Sequence, residues 1–281
     1  MENFNQNQFF DFKYNLIKII KNVQKKLVYL AERKEDNQKV IIKEINLEKL
    51  DENEQLIISQ EGLFLTKFQH PNIINLFEFF LVNKKVFIIT EYAENGNLSN
   101  KIQEQKDKNE TFDEKDIIEW FIDICEGLKF IHENNIKHND LKLNNIFITK
   151  SNKIKLGNFG IEKLLNPQIE DKESIIYLSP EKIKGEICNN KTDIWNLGII
   201  LYELTQLNHP FFDKEIDIEN LKENIQKAEL HEFLNLNYSS RLLTLTQSLF
   251  IVEPNKRPEI NKILLEAYTI IIKKESHSKR K

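Results

Sequence analysis

Residues 138–145 read HNDLKLNN: an acid, Asp140, a lysine two positions on, Lys142, and an amide three further, Asn145. They occupy a polar loop just before an apolar run, IFIT. Thirteen residues past Asn145, the alternating stretch KIKLG ends on a second amide, Asn158, which a Phe-Gly turn follows. A carboxylate, an ammonium and amides at such places are groups that can take a proton, meet an anion or hold a cation. The type matters. An amide offers one neutral oxygen and two N–H donors, whereas an ionised carboxylate only accepts. Taken alone, an Asx turn explains the loop equally well, and asparagine is frequent along the whole chain.

The elements that must position these residues can be read from period. YNLIKII, KLVYLAER and KVIIKEI are apolar, β-branched runs at short spacing and predict strands. DENEQLIISQEGLFLTKF switches to helical period, with Ile57, Glu61, Phe64 and Phe68 on one face. Pro71 ends it by pushing His70 out of helical geometry. Two further strands, LFEFFLV and KVFIITEY, are joined by a short polar turn. AENGNL then reads as a hinge between two lobes. Beyond it the period predicts helices over Asp113–His132, Asp193–Gln206, Glu215–Ala228, Ser240–Phe250 and Pro258–Ile272, with strand and loop over 136–181. No internal repeat is visible.

Composition bounds the classes. The 281 residues, with 40 Lys and Arg against 44 Asp and Glu, carry a formal charge of −4. That makes no global case for nucleic-acid binding. The last nine residues, KKESHSKRK, read as a solvated basic tail. Cys125 sits in a helical pattern as a small core residue, and with Cys188 it forms neither a disulfide framework nor a CxxC metal site. The start MENFNQNQFF has no signal-peptide pattern. No apolar run approaches the roughly 20 residues of a membrane helix. The expectation is a cytoplasmic protein without a transmembrane segment.

The company of the 138–145 loop carries a resemblance. NFG follows at 158–160, YLSPE at 177–181, TDIWNLGIILYEL at 192–204 and EPNKRP at 253–258; upstream, VIIK ends at Lys43 and Glu61 stands nine residues before HPNI. This set, in this order, resembles a eukaryotic protein kinase domain of the Ser/Thr type. The resemblance implies an α+β bilobal fold: a small lobe of a five-stranded antiparallel sheet plus one helix, and a large, mainly α-helical lobe. It also implies boundaries: an N-terminal extension over 1–13, a small lobe over 14–92, a hinge over 93–97, a large lobe over 98–272 and the tail over 273–281. ATP and Mg²⁺ are the implied cofactors, and a protein substrate or protein partner the implied target. YLSPE and NKRP resemble peptide-substrate kinases and disfavour a small-molecule kinase.

Residue by residue, the resemblance implies that Asp140 accepts or orients the substrate hydroxyl. Lys142 would touch the transferring phosphate, and Asn145 would bind Mg²⁺. Lys43 would hold the α- and β-phosphates and Glu61 would pair with it. Thr90 falls at the gatekeeper position, and the backbone of Glu91 and Ala93 would meet adenine. Glu181 with Arg257, Asp193, Trp195 and Gly198 look structural, as do His70 and His138.

Three departures set this chain apart. The glycine-rich loop is absent, and its three glycine positions fall on Lys21, Val23 and Lys26. Glycine serves there because backbone amides must approach phosphate closely. The metal-binding aspartate of Asp-Phe-Gly is Asn158. Mg²⁺ prefers charged oxygens, and the gross attraction of a unit charge ~3 Å from a dication is roughly 11 kcal/mol at an effective dielectric of 20. If ~3–4 kcal/mol survives desolvation, its loss costs on the order of 10²–10³-fold in rate. Finally, the arginine before the catalytic aspartate is Asn139, so Ser174 has no matching arginine to receive a phosphate. Two readings follow: a pseudokinase or very weak kinase acting through partner binding, with ATP and Mg²⁺ held poorly, or a divergent kinase that still transfers the γ-phosphate to protein.

Overall fold

The computed structural model describes residues 12–23, 26–48, 62, 66, 68–158, 175–213, 215–235 and 237–278. The chain forms two compact units, Met1–Glu94 and Asn95–Lys281, and the division falls within the AENGNL link.

In the first unit, β1 (Tyr14–Val23), β2 (Lys26–Arg33), β3 (Lys39–Asn46), β4 (Leu76–Val82) and β5 (Lys85–Glu91) build one antiparallel sheet in the order β1-β2-β3-β5-β4. Alternation works as the period demands. Val40 and Ile42 turn into a core with Tyr14, Ala31, Phe87 and Ile89, while Lys43, in register with Val28 and Ile88, is half-buried. The β4–β5 turn is Asn83-Lys84, both at positive φ of 49° and 58°. Two left-handed residues in a two-residue hairpin match the twist of the flanking strands. The outer strand β1 is different. Two register shifts interrupt its pairing with β2, and Leu16, Ile17, Ile19 and Ile20 are 54%, 48%, 57% and 49% exposed. The helix expected over the 51–68 stretch lies outside the described residues except at Gly62, Thr66 and Phe68. The Thr66 amide donates to the Gly62 carbonyl, a helical step. Gly62 lies so close to the Phe79 ring that a Cβ would collide with it.

The second unit is mainly helical. Among the described residues it holds α1 (Leu98–Lys108), α2 (Glu114–Glu133), α3 (Pro180–Ile183), α4 (Lys191–Gln206), α5 (Ile218–Lys227), α6 (Ser240–Ser248) and α7 (Ile260–Ser278), with a short antiparallel pair, β6 (Ile146–Ile148) and β7 (Ile154–Leu156). Every residue of α4 from Lys191 to Tyr202 is buried. Trp195 stacks on Phe211 at 5.6 Å and meets Phe250 edge-on at 5.4 Å. Gly198 permits this approach, since a Cβ there would stand 3.0 Å from Leu249 Cβ. Cys125 is buried in α2, both cysteines are free, and burial holds the Cys125 thiol well above its usual range.

The short helix α3 was not expected from the sequence, and two longer elements also differ from that expectation. The period does not announce α1, because only Leu98 and Ile102 of it are buried and two apolar positions make no stripe. Asn97 starts it by accepting from the Asn100 amide, and Asn109 ends it at φ 54°. α7 runs to Ser278, well into the segment read as a tail. The apolar period stops at Ile272, but extending an existing helix through Lys and Glu costs little. No described helix is long and apolar enough to cross a membrane.

Candidate functional site

The second unit assembles the loop from buried charge outward. Asp193, in the first turn of α4, receives the backbone amides of His138 at 3.0 Å and Asn139 at 3.2 Å, and its Oδ2 lies 2.8 Å from His132 Nε2. Burial alone would raise its carboxyl; the hydrogen bonds from His132 and the loop amides outweigh that and hold it below the ordinary carboxylate range. His138 is fully buried and its imidazole is pushed down by burial, so it anchors the loop as a neutral ring. Asn139 carries the chain through φ 62°, a left-handed turn that asparagine tolerates better than most side chains. Its carbonyl takes a 3.4 Å contact from Lys182 Nζ.

Beyond that turn the three sequence-predicted residues meet. Asn145 Nδ2 donates to both the Asp140 carbonyl and Asp140 Oδ2, each at 2.7 Å, and Lys142 Nζ stands 3.3 Å from the same Oδ2. A 3-10 turn over Leu143–Asn145 closes on the Lys142 carbonyl and feeds β6. The Asn145 carbonyl accepts the Gly157 amide at 2.9 Å, which brings the end of β7 alongside. There Asn158, at φ 60°, donates from Nδ2 to Asn145 Oδ1 at 2.7 Å. Asp140, Lys142, Asn145 and Asn158 thus form one hydrogen-bonded cluster.

The same unit holds further buried polar groups. Glu181 and Arg257 form a two-pronged pair at 2.9 and 2.7 Å, with Thr192 on the carboxylate at 2.9 Å. Arg257 also donates to the carbonyls of Lys191, Ile251 and Val252 and lies over the Trp195 ring. Sequence reasoning missed a second buried pair. Tyr177 donates to Glu203 Oε2 at 2.6 Å, and burial pushes the Glu203 carboxyl up to about 8 despite that bond and the Lys106 charge. An acid inside the apolar run IILYELTQ was the available signal.

The remaining candidates belong to the first unit. Lys43 and Thr90 lie in the ladder, Thr90 half-buried opposite Ile41 and Leu76. The Glu91 amide donates to the Asn75 carbonyl at 2.9 Å. Ala93 is buried. At the missing glycine loop, pairing continues through Lys21–Val28 to Val23–Lys26, and none of these positions is left-handed. Glu61 and Ser174 lie outside the described residues.

Tested against Mg²⁺, the donor set does not fit. The two positions that face each other are neutral amides, and the oxygen of one already accepts the N–H of the other. Among the described residues no group of three or more His, Cys, Asp or Glu could hold a metal ion.

Fold and loop together define a protein kinase domain, and the chain belongs to the protein kinase domain family, whose pattern matches residues 24–269. It is 40% identical over 259 residues to Serine/threonine-protein kinase Nek5 of Homo sapiens, covering 90% of this chain and 36% of that protein. It is 37% identical over 245 residues to Serine/threonine-protein kinase Nek1 of Mus musculus, covering 85% of this chain and 20% of the relative. Probable serine/threonine-protein kinase nek3 of Dictyostelium discoideum is 37% identical over 260 residues, at 90% and 23% coverage. The chain therefore spans well under half the length of each of these relatives.

Proposed function

We propose that this is a Ser/Thr-type protein kinase domain, over residues 14–272, whose phosphate and Mg²⁺ site is impaired and which acts through protein partners with little or no phosphoryl transfer. One observation carries the reading: the Asn158 amide donates to Asn145 Oδ1 where the family places a metal between two oxygens. The strand ladder through Lys21, Val23 and Lys26 supports it from the other side of the chemistry, because paired strand backbone offers no glycine cradle. The names of the relatives, and the Asp-Leu-Lys order at 140–142, support the Ser/Thr class. ATP, held weakly, is the nucleotide, and the cytoplasm is the compartment.

A divergent active kinase is the second reading, and a specific observation favours it. Asp140, Lys142 and Asn145 are held together within hydrogen-bonding distance, as transfer requires. The two part in one assay. Purified chain is incubated with MgATP and a mixture of Ser/Thr peptides, beside Asp140→Ala. The expected result is no transfer above the Asp140→Ala background. Turnover on the order of 1–100 per second, as in working kinases, abolished by Asp140→Ala, would establish the second reading.

A further inference from the structure

The orientation of the two amides is fixed by their neighbours. Asn145 puts one end of its side chain 2.7 Å from the Asp140 backbone carbonyl and 2.7 Å from the Asp140 carboxylate. Both of those atoms only accept. The end that faces them is therefore the NH₂, and the end that faces Asn158 is the oxygen. Across the 2.7 Å gap Asn158 must then present its own NH₂. A carboxylate at 158 would reverse this. Two oxygens would oppose each other at hydrogen-bonding distance, and only a cation or a proton between them would remove the repulsion.

We propose that Asn158 is a built-in replacement for the divalent cation. Its amide N–H fills the electrostatic role of the ion toward Asn145, and Asn145 in turn holds the backbone and carboxylate of Asp140. The relay from Asn158 through Asn145 to Asp140 is complete without metal, so the loop is formed and stable in the absence of Mg²⁺ and does not respond to it. Asn158 is a positioning residue in this scheme, and its replacement by aspartate does not simply restore a lost site. It makes the folded loop dependent on a cation. The inference deepens the proposed function and rests on that reading of the site.

The test compares melting temperatures of the whole chain, Asn158→Asp and Asn158→Ala, each in EDTA and in millimolar Mg²⁺ without nucleotide. The native chain is expected to melt at the same temperature in both. Asn158→Asp is expected to melt on the order of 5 °C lower in EDTA, from a hydrogen bond replaced by a repulsion, and to recover in Mg²⁺. Lowering the pH should narrow its gap to the native chain in EDTA, because the new carboxyl, once protonated, donates as the amide does. Asn158→Ala, which loses the donor without gaining a charge, is expected to melt lower but to ignore Mg²⁺. A native chain that is stabilised by Mg²⁺ alone overturns the proposal. So does an Asn158→Asp variant that ignores both Mg²⁺ and pH. The two readings fail separately. A chain that ignores Mg²⁺ yet transfers phosphate overturns only the proposed function, whereas one that binds Mg²⁺ and transfers nothing overturns only this inference.

Discussion

The loop from His138 to Asn158 and the β1–β2 pair are the two places where a kinase handles phosphate, and they differ in what holds them. In the loop, each position of interest is a side chain with a named partner, from Asp193 under the His138 and Asn139 amides to Asn158 on Asn145. In β1–β2 the family's work is done by backbone, and here the backbone is engaged in ordinary strand pairing. Removing one side chain of such a pair leaves its partner unsatisfied, and the two positions of this loop that depart from the family, Asn139 and Asn158, both carry polar side chains. A backbone role has no such partner. Among the described residues, Lys21, Val23 and Lys26 take part in ordinary strand pairing.

The comparison can be broken first at its firmer end. Arg257→Ala leaves the Glu181 carboxylate buried without its guanidinium, and such losses cost about 3–5 kcal/mol. Urea unfolding should show that loss in the second unit. A change below ~1 kcal/mol would mean that the buried pair contributes little to that unit's stability.

The next effect is pH-dependent. The Glu203 carboxyl is pushed up to about 8 from an ordinary 4.5, chiefly by burial. Between those values the folded chain keeps a proton that the unfolded chain has released. The stability it contributes is therefore full below pH 4.5 and is lost as pH rises through 8, at most about 1.4 kcal/mol per pH unit. Glu203→Gln keeps an acceptor for Tyr177 and removes the titration. Its melting temperature relative to the native chain should rise from pH 5 to pH 8.5, and a constant difference would refute the assignment.

The smallest effect sharpens the other side. Replacing Lys21, Val23 and Lys26 together by glycine should destabilise the first unit by about 0.5–1 kcal/mol per position. It should also enlarge the melting shift produced by millimolar ATP. Destabilisation with no change in the ATP shift would separate these three positions from nucleotide binding.

Much of this was readable from residues. The five strands are apolar runs that pair into one sheet, with alternate burial at Val40 and Ile42 of β3, a continuous buried run over 86–89 in β5 and mostly exposed side chains in β1, and the loop stood out through Asp140, Lys142 and Asn145. What escaped has physical reasons. α1 depends on two buried side chains and its caps rather than on a stripe. The Glu91 amide donates to the Asn75 carbonyl, a bond that no sequence period records. The family resemblance marked Asn145 and Asn158 as site positions, yet it could not say that one donates to the other. Asparagine frequency, read as a bias that weakened Asn158 as a signal, has a local use. Of the ten non-glycine residues at positive φ among those described, seven are asparagine, Asn139 and Asn158 included. In a chain with seven glycines, asparagine takes over left-handed turns.

β1 has a consequence for handling the protein. It is a ten-residue outer strand that bares Leu16, Ile17, Ile19 and Ile20 to water. An outer strand of that kind invites a second strand to add to it. Lys18 and Lys21, spaced among the aliphatics, and the two register shifts are the features that discourage such growth. Lys21, a position that the resemblance aligns with a glycine, carries the kind of charge that discourages such pairing. Neutralising it trades a tractable solution for one whose turbidity climbs with protein concentration and salt.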